Sequence, residues 1–336
     1  MGQKRKAAAA ALLSLIFTAV AVGPAPAAYA ADKTVAKAST SKKKRPIYRG
    51  EAMLPAQQAL VSSIVILMNE DGTFRVMNED QAHARRTPAS ITKLMTLSLL
   101  FDALDSGELN LKDKIKISAT DTGAGGTLLP VPAGSTISVQ EAIMAMITKS
   151  ANNVAVSVAE HLAGTEPAFV EKMNAEARRL GMRNTNFVNS HGMRHPDQYS
   201  SAYDLAVLSN HLINQHSEYY HYFSSLSFIY KKATYNNHNR LMRVYGGMDG
   251  LKTGMTNHGW QLAASAERVI EADPEAKTPE KVHRLIGVFL GGQTKGQRNN
   301  CLGHLLDQAF MELGHDDLPE NRFVYSKKAC TSDRNP

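Results

Sequence analysis

The hydrophobic pattern changes period three times along the chain. Val61 to Met68 (VSSIVILM) is a short β-branched apolar run, Glu70-Asp71-Gly72 has turn chemistry, and Thr73 to Met77 returns, which predicts a hairpin. After a polar loop, Ile91, Leu94, Met95, Leu97, Leu100, Phe101 and Leu104 recur at helical spacing, so a helix should begin near Ser90 and stop near Gly107. Ser138 and Glu141 form a capping box that predicts a helix over Val139 to Thr148, with a second from Ala151 to Leu162. Thr165-Glu166-Pro167 opens a helix that runs to Leu180 and ends at Gly181, and Ser201 with Asp204 opens another running to about Asn214. From Leu241 the runs become short and β-like: Gly250 to Thr256, Trp260 to Ala266, Arg284 to Leu290. Helical spacing returns over Asn299 to Leu313. Strands at both ends of a helical middle predict one α/β domain, a mainly antiparallel sheet closed by the C-terminal strands with a helical subdomain inserted between them.

Composition bounds this picture without changing it. At 336 residues, 43% hydrophobic and 21% charged, the chain is neither disordered nor a coiled coil, and two Cys cannot make a disulfide scaffold. The charge of +7 is more informative once located. Residues 1–30 carry +3 and residues 31–49 carry +6, which leaves the body from Gly50 at −2. A near-neutral body is not a phosphate-binding surface, so no nucleic-acid partner is expected.

The N-terminus has the order of an export signal: Lys4-Arg5-Lys6, an uncharged run from Ala7 to Val22, and Ala28-Tyr29-Ala30 as an A-x-A site. Sixteen residues of helix reach only about 24 Å, short of a membrane core of roughly 30 Å. Residues 1–30 are therefore expected to be removed, 31–51 to be a basic disordered linker with a weak pull toward an anionic membrane or wall polymer, 52–315 to form the catalytic domain, and 316–336 a polar tail. Work outside the cytoplasm permits a Cys301–Cys330 bond, but the sequence leaves two free thiols equally open.

Ser90-Ile91-Thr92-Lys93 places a hydroxyl and an amine three residues apart on one helix face, where Lys93 can serve as base for Ser90 if burial or a second cation lowers its pKa. S-x-x-K alone is weak, since it also occurs at Ser39/Lys42 and Ser41/Lys44 in the linker. Ser150-Ala151-Asn152 at a helix junction and Lys252-Thr253-Gly254 on a strand make the signal strong, because the three motifs follow in order 60 and 102 residues apart.

On these motifs the chain resembles the D-alanyl-D-alanine carboxypeptidases of the low-molecular-weight penicillin-binding protein family, over roughly Ala52 to Leu313. Supporting stretches are ASITKLMT from Ala89, GMRNTNF from Gly181, His191-Gly192, YSSAYDL from Tyr199, DGLKTGMT from Asp249 and RLIGVFLGGQTKGQR ending at Arg298. The resemblance implies the serine β-lactamase/transpeptidase fold, peptidoglycan stem peptides as substrate and β-lactams as covalent inhibitors. It also implies roles. Ser90 attacks, Lys93 takes the proton, Ser150 relays it to the leaving amine, and Asn152 holds Lys93 and the substrate amide. Lys252, Thr253 and Arg298 bind the terminal carboxylate, and the N–H groups of Ser90 and Met255 form the oxyanion hole.

No cofactor or metal enters this scheme. His191, His195 and Asp197 have ligand chemistry, but Gly192 and Pro196 argue for a loop rather than a metal-binding helix. A class A β-lactamase would need a water-activating Glu; the middle residue of the second motif is Ala151, and Ala177 to Pro196 contains no acid, so penicillin hydrolysis should be slow. A D,D-endopeptidase would use the same residues, and only 23 residues follow Leu313, too few for a second β-rich domain. An inactive penicillin-sensing or wall-binding module is disfavoured by the intact motifs.

Overall fold

The computed structural model describes residues 61–119, 125–257, 259–272, 275, 279–315, 323 and 330–332. The expected export signal and basic linker lie outside the described residues.

A five-stranded antiparallel sheet forms the centre: β1 (Ser62–Met68), β2 (Phe74–Asp80), β7 (Met248–Thr256), β8 (Gly259–Ile270) and β9 (Lys281–Gly292), in spatial order β2-β1-β9-β8-β7. The N-terminal hairpin thus pairs with the last strand, Ser62 opposite Leu290 and Leu67 opposite Leu285. The long excursion between β2 and β7 carries the helices α1 (Lys93–Asp105), α2 (Val139–Met144), α3 (Asn152–Ala163), α4 (Glu166–Arg179), α5 (Ala202–Gln215) and α6 (Ser217–Tyr220). It also carries two small ribbons, β3 (Lys114–Lys116) with β4 (Thr136–Ser138), and β5 (Ser227–Tyr230) with β6 (Ala233–Asn236). The closing helix is α7 (Lys295–Glu312).

Both faces of the sheet are covered, which explains why β1 reads as a continuous apolar run instead of alternating. Ile64 and Ile66 join the core built with α1, α3 and α5, whereas Val65 faces the second core, made by α7 through Leu302, Leu305, Leu306 and Phe310. Leu262 and Phe289 share that second core, while Ala263 and Val288 face the first.

Helix starts follow local chemistry. Ser138 Oγ accepts from Glu141 N at 3.2 Å and Glu141 Oε2 accepts from Ser138 N at 2.7 Å, completing the capping box of α2. Thr165 and Ser201 cap α4 and α5 in the same way, through Ala168 N and Asp204 N.

Three boundaries depart from the sequence expectation. Ala89–Thr92 is a 3-10 turn, so the α-helix begins at Lys93 rather than Ser90. α2 ends at Met144 and passes through a π-helical turn, Ala145–Lys149, into Ser150. α7 starts at Lys295, capped by Thr294 Oγ1 accepting from Gln297 N at 3.0 Å, so Arg298 lies in its first turn instead of just before a helix. The polar run Lys295 to Asn300 hid that turn from a hydrophobic pattern.

Cys301 and Cys330 form a disulfide, with Cα atoms 5.3 Å apart. Beside it, Ser332 donates from N and Oγ to the Asp80 carboxylate at 2.6 and 2.7 Å, and Phe323 stacks on Tyr245 with ring centroids 5.7 Å apart. The described residues after His315 therefore pack on α7 and the sheet.

Candidate active site

Four features bring the three motifs together. The first is the turn that carries Ser90. Ala89 has φ +51°, a left-handed conformation unusual for a residue with a Cβ, and Gly192 lies directly behind it. Gly192 has φ +92°, and a Cβ there would overlap the Ala89 carbonyl, so only glycine allows the loop to support the Ser90 turn this closely. On the opposite side, β7 is an edge strand of the sheet and Gly254 fits against Pro88 and Ala89: an added Cβ would stand 2.9 Å from Ala89 Cβ and 3.0 Å from Pro88 O.

The second feature is Ser150. The π-helical turn ends on it in the left-handed conformation, φ +61°, ψ +37°, before α3 starts at Asn152. A β-carbon in that region costs about 1–2 kcal/mol, and such strain marks a position whose side-chain placement matters. Ser150 is buried and lines the same cavity as Ser90.

The third is the coordination of Lys93, whose side chain is 0% exposed. Its Nζ donates to His191 O at 2.6 Å and Asn152 Oδ1 at 2.7 Å, and lies 3.3 Å from Ser90 Oγ. Asn152 is held in turn, its N donating to Thr127 O at 2.7 Å and its Nδ2 to Gly125 O at 2.8 Å. The Asn152 side-chain amide, expected to hold the substrate amide, therefore also donates to the Gly125 carbonyl.

The fourth is β7, which presents Lys252, Thr253, Gly254 and Met255 consecutively. Lys252 is 1% exposed and donates to the Thr253 carbonyl at 3.2 Å. Arg284 on β9 ties the start of β7 down through Asp249 at 2.6 Å and reaches Glu267 on β8 at 2.7 Å.

Burial of these cations sets the electrostatics. Desolvation, and after it the Lys252 charge, hold the Lys93 pKa well below the usual ammonium range. Lys252 is brought down to about 7 by burial and then by the Arg298 guanidinium. Arg298 is itself 2% exposed and lowered to about 10 by burial; its Nε and one terminal nitrogen donate to Asn299 Oδ1 at 3.0 and 2.7 Å.

All nine residues chosen from the sequence fall in one region. Ser90, Ser150, Thr253, Gly254, Met255 and Arg298 line one cavity of about 480 Å³, and Lys93, Asn152 and Lys252 lie directly behind its wall. What the motifs did not disclose are the His191 carbonyl, the Gly125 carbonyl and the far wall of the cavity, which includes His238, Arg240, Trp260 and Lys295. Backbone acceptors carry no side-chain signature. Among the described residues no group of three or more His, Cys, Asp or Glu is placed to hold a metal ion, and His191 and His195 each accept, at Nδ1, the backbone N–H two residues on, Met193 and Asp197, both at 3.1 Å. Burial and the Lys93 charge push the His191 imidazole down to about 3.

Among the described residues, no helix is long and apolar enough to cross a membrane.

Comparison with known proteins agrees with this geometry. The D-alanyl-D-alanine carboxypeptidase family matches residues 51–271. D-alanyl-D-alanine carboxypeptidase DacF of Bacillus subtilis is 34% identical over 254 residues, covering 74% of this chain and 61% of that protein. The Salmonella typhimurium carboxypeptidase DacD is 32% identical over 288 residues, covering 83% and 69%. The chain thus spans about three fifths to two thirds of the length of these curated relatives. Among solved structures, Penicillin-Binding Protein D2 from Listeria monocytogenes with cefotaxime bound is 30% identical with a TM-score of 0.64, covering 74% of this chain and 96% of that one. With the family match spanning Ser90, Ser150 and Lys252 in the arrangement described, this chain belongs to the D-alanyl-D-alanine carboxypeptidase family.

Proposed function

We propose that this chain is a serine D-Ala-D-Ala carboxypeptidase that removes the terminal D-Ala of peptidoglycan stem pentapeptides through an acyl-Ser90 intermediate, outside the cytoplasm, and that β-lactams acylate the same serine. The observation that carries this reading is the surroundings of Lys93 Nζ. A neutral amine has two N–H donors and one lone pair; His191 O and Asn152 Oδ1 take the donors at short distance, which leaves the lone pair for the Ser90 hydroxyl at 3.3 Å. Burial and Lys252 favour that neutral form.

In this mechanism the Ser90 proton passes to Lys93 as Oγ bonds to the carbonyl of the penultimate D-Ala. The oxyanion meets the N–H groups of Ser90 and Met255, and Ser150 carries a proton to the departing D-Ala amine as the C–N bond breaks. Lys252, Thr253 and Arg298 hold the terminal carboxylate, whose charge favours the protonated form of Lys252. Water then attacks the ester, with Lys93 again as base, and Ser90 regains its proton.

The deciding experiment is mass spectrometry of a mixture of pentapeptide monomers and cross-linked dimers incubated with the protein from Ala31 onward. Loss of one D-Ala from the monomers with intact dimers is expected; dimer cleavage with surviving pentapeptides would make it a D,D-endopeptidase instead. Ser90→Ala should abolish both turnover and labelling by a fluorescent penicillin, and residual labelling would mean the nucleophile is misassigned.

A further inference from the structure

The cavity extends beyond the residues that the mechanism uses, and its far wall is cationic. Arg240, on the 3-10 turn Arg240–Arg243, and Lys295, the first residue of α7, line it together with His238, Trp260 and the clamp residue Arg298; among the described residues no Asp or Glu lines it. These charges are unbalanced. Among the described residues, none of Lys93, Lys149, Lys252, Lys295, Arg240 and Arg298 has a carboxylate within ion-pair distance. Two of them lie over aromatic faces instead, Lys295 Nζ 4.8 Å from the Trp260 ring centroid and Lys149 Nζ 4.9 Å from that of Tyr235. Burial, and after it Lys252, Lys149, Lys295 and Arg298, bring the His238 imidazole down to about 4.

A terminal carboxylate needs one cationic clamp, and Lys252 with Arg298 already supplies it. Two further cations on the exposed part of the same cavity, with no carboxylate of the described residues in ion-pair contact with them, raise the local concentration of a second anionic group. Lys295 shares the first turn of α7 with the clamp residue Arg298, which assigns that group to the residue that leaves and not to the one that acylates Ser90.

We propose that Arg240 and Lys295 form a second anion subsite, which selects a leaving D-residue carrying a side-chain carboxylate in addition to its terminal one. The inference rests on the serine carboxypeptidase reading and extends it to specificity. Lys295 Nζ lies over the Trp260 ring, and Arg240 lines the same cavity from its 3-10 turn. Both cations are exposed, so the preference is moderate and is screened by salt.

The test uses acyl-D-Ala-D-Xaa peptides in which Xaa is Ala, Gln, Glu or Lys, assayed for release of the D-residue at low and at high ionic strength. D-Glu and D-Gln have nearly the same shape, so their ratio isolates charge. The expected kcat/KM for D-Glu exceeds that for D-Gln by about three- to tenfold at low salt, and D-Lys is the poorest. In Arg240→Gln/Lys295→Gln the D-Glu to D-Gln ratio should fall to about one, and in the wild type it should shrink at 0.5 M salt. Cleavage of D-Ala-D-Ala with D-Glu no better than D-Gln would overturn the subsite and leave the carboxypeptidase reading intact. A ratio that persists in the double variant would also overturn it. No cleavage of any of the four peptides would overturn the carboxypeptidase reading and the subsite with it.

Discussion

The two ends of the cavity use cations in opposite ways. At the inner end, Lys93 and Lys252 are fully buried, each is hydrogen-bonded to fixed oxygens, and both are displaced far below the usual ammonium pKa. At the outer end, Lys295 and Arg240 are exposed, and Lys295 rests on an aromatic face. Burial converts a lysine from a point charge into a group that gives and takes protons near neutrality, whereas exposure leaves it an ordinary cation useful only for attraction. On the proposed function the inner pair performs chemistry and the outer pair selects, and the two roles should separate under mutation.

The largest separation is expected at Lys93. Lys93→Arg keeps a positive charge but removes the basic lone pair, since a guanidinium does not deprotonate in a protein. If the inner end works as a base, acylation by a fluorescent penicillin should slow by roughly 10³-fold or more in this variant, no better than in Lys93→Met. An arginine variant that labelled at near wild-type rate would reduce Lys93 to electrostatics and erase the contrast between the two ends.

Lys252 comes next. If Lys252 holds the substrate carboxylate as proposed, Lys252→Met should lower kcat/KM by roughly 10²-fold. The same change has a pH signature. Lys93 is active when neutral, so activity falls on the acid side as it protonates; without the Lys252 charge its pKa rises, and the acid limb should move to higher pH. Stability gives an independent reading. With a folded pKa of about 7 against 10.5 for the free side chain, Lys252 is protonated in both states below pH 7, and between these values the unfolded chain binds more protons. Stability from this residue therefore rises with pH across that window, with a slope of at most about 1.4 kcal/mol per pH unit. Lys252→Met should be the more stable protein at pH 6, with its advantage shrinking toward pH 10, as followed by urea denaturation.

Gly192 tests whether the inner end also depends on its backing. A Cβ at φ +92° against the Ala89 carbonyl must push the Ser90 turn or the His191 loop outward, which changes the Ser90–Lys93 distance without touching either side chain. Gly192→Ala should reduce kcat by roughly 10²-fold and destabilise by about 1–3 kcal/mol. No exposed residue of the outer wall should show this coupling of rate to stability.

The contrast also explains which parts were legible in the sequence. The residues that meet at the inner end are legible because S-x-x-K, S-x-N and K-T-G are side-chain patterns with fixed spacing, and the sheet because apolar runs such as Ile64 to Leu67 stand out at any period. The hairpin of β5 and β6 was missed for a physical reason. Its turn places Lys231 and Lys232 at φ +45° and +73°, where Asn-Gly is the usual signal, and its strands are four residues long. β3 and β4 hold three residues each, with one buried side chain apiece, too little to show alternation. The 3-10 start at Ala89 and the π-helical turn before Ser150 were illegible because hydrophobic spacing cannot distinguish 3.0, 3.6 and more residues per turn over four or five positions. The outer wall combines residues from 236–240, 260 and 295–299, which only the folded chain brings to one cavity.

The smallest effect on activity is expected at the disulfide, although its effect on stability is large. Cys301 lies two turns into α7, and the bond joins it to a segment 29 residues away in sequence. Breaking it in Cys330→Ser releases a loop constraint on the unfolded chain worth about 3 kcal/mol. Arg298, however, is fixed by contacts on its own side of the helix, to Asn299 and at 3.4 Å to Gln261 O, and Thr294 caps the helix independently. The substitution should therefore lower the thermal midpoint by several degrees while kcat/KM on D-Ala-D-Ala stays within about threefold at temperatures where the protein is folded. A loss of carboxylate affinity as large as that of Lys252→Met would mean that the disulfide positions α7 against the cavity, and the clamp would then depend on the C-terminal segment as closely as Ser90 depends on Gly192.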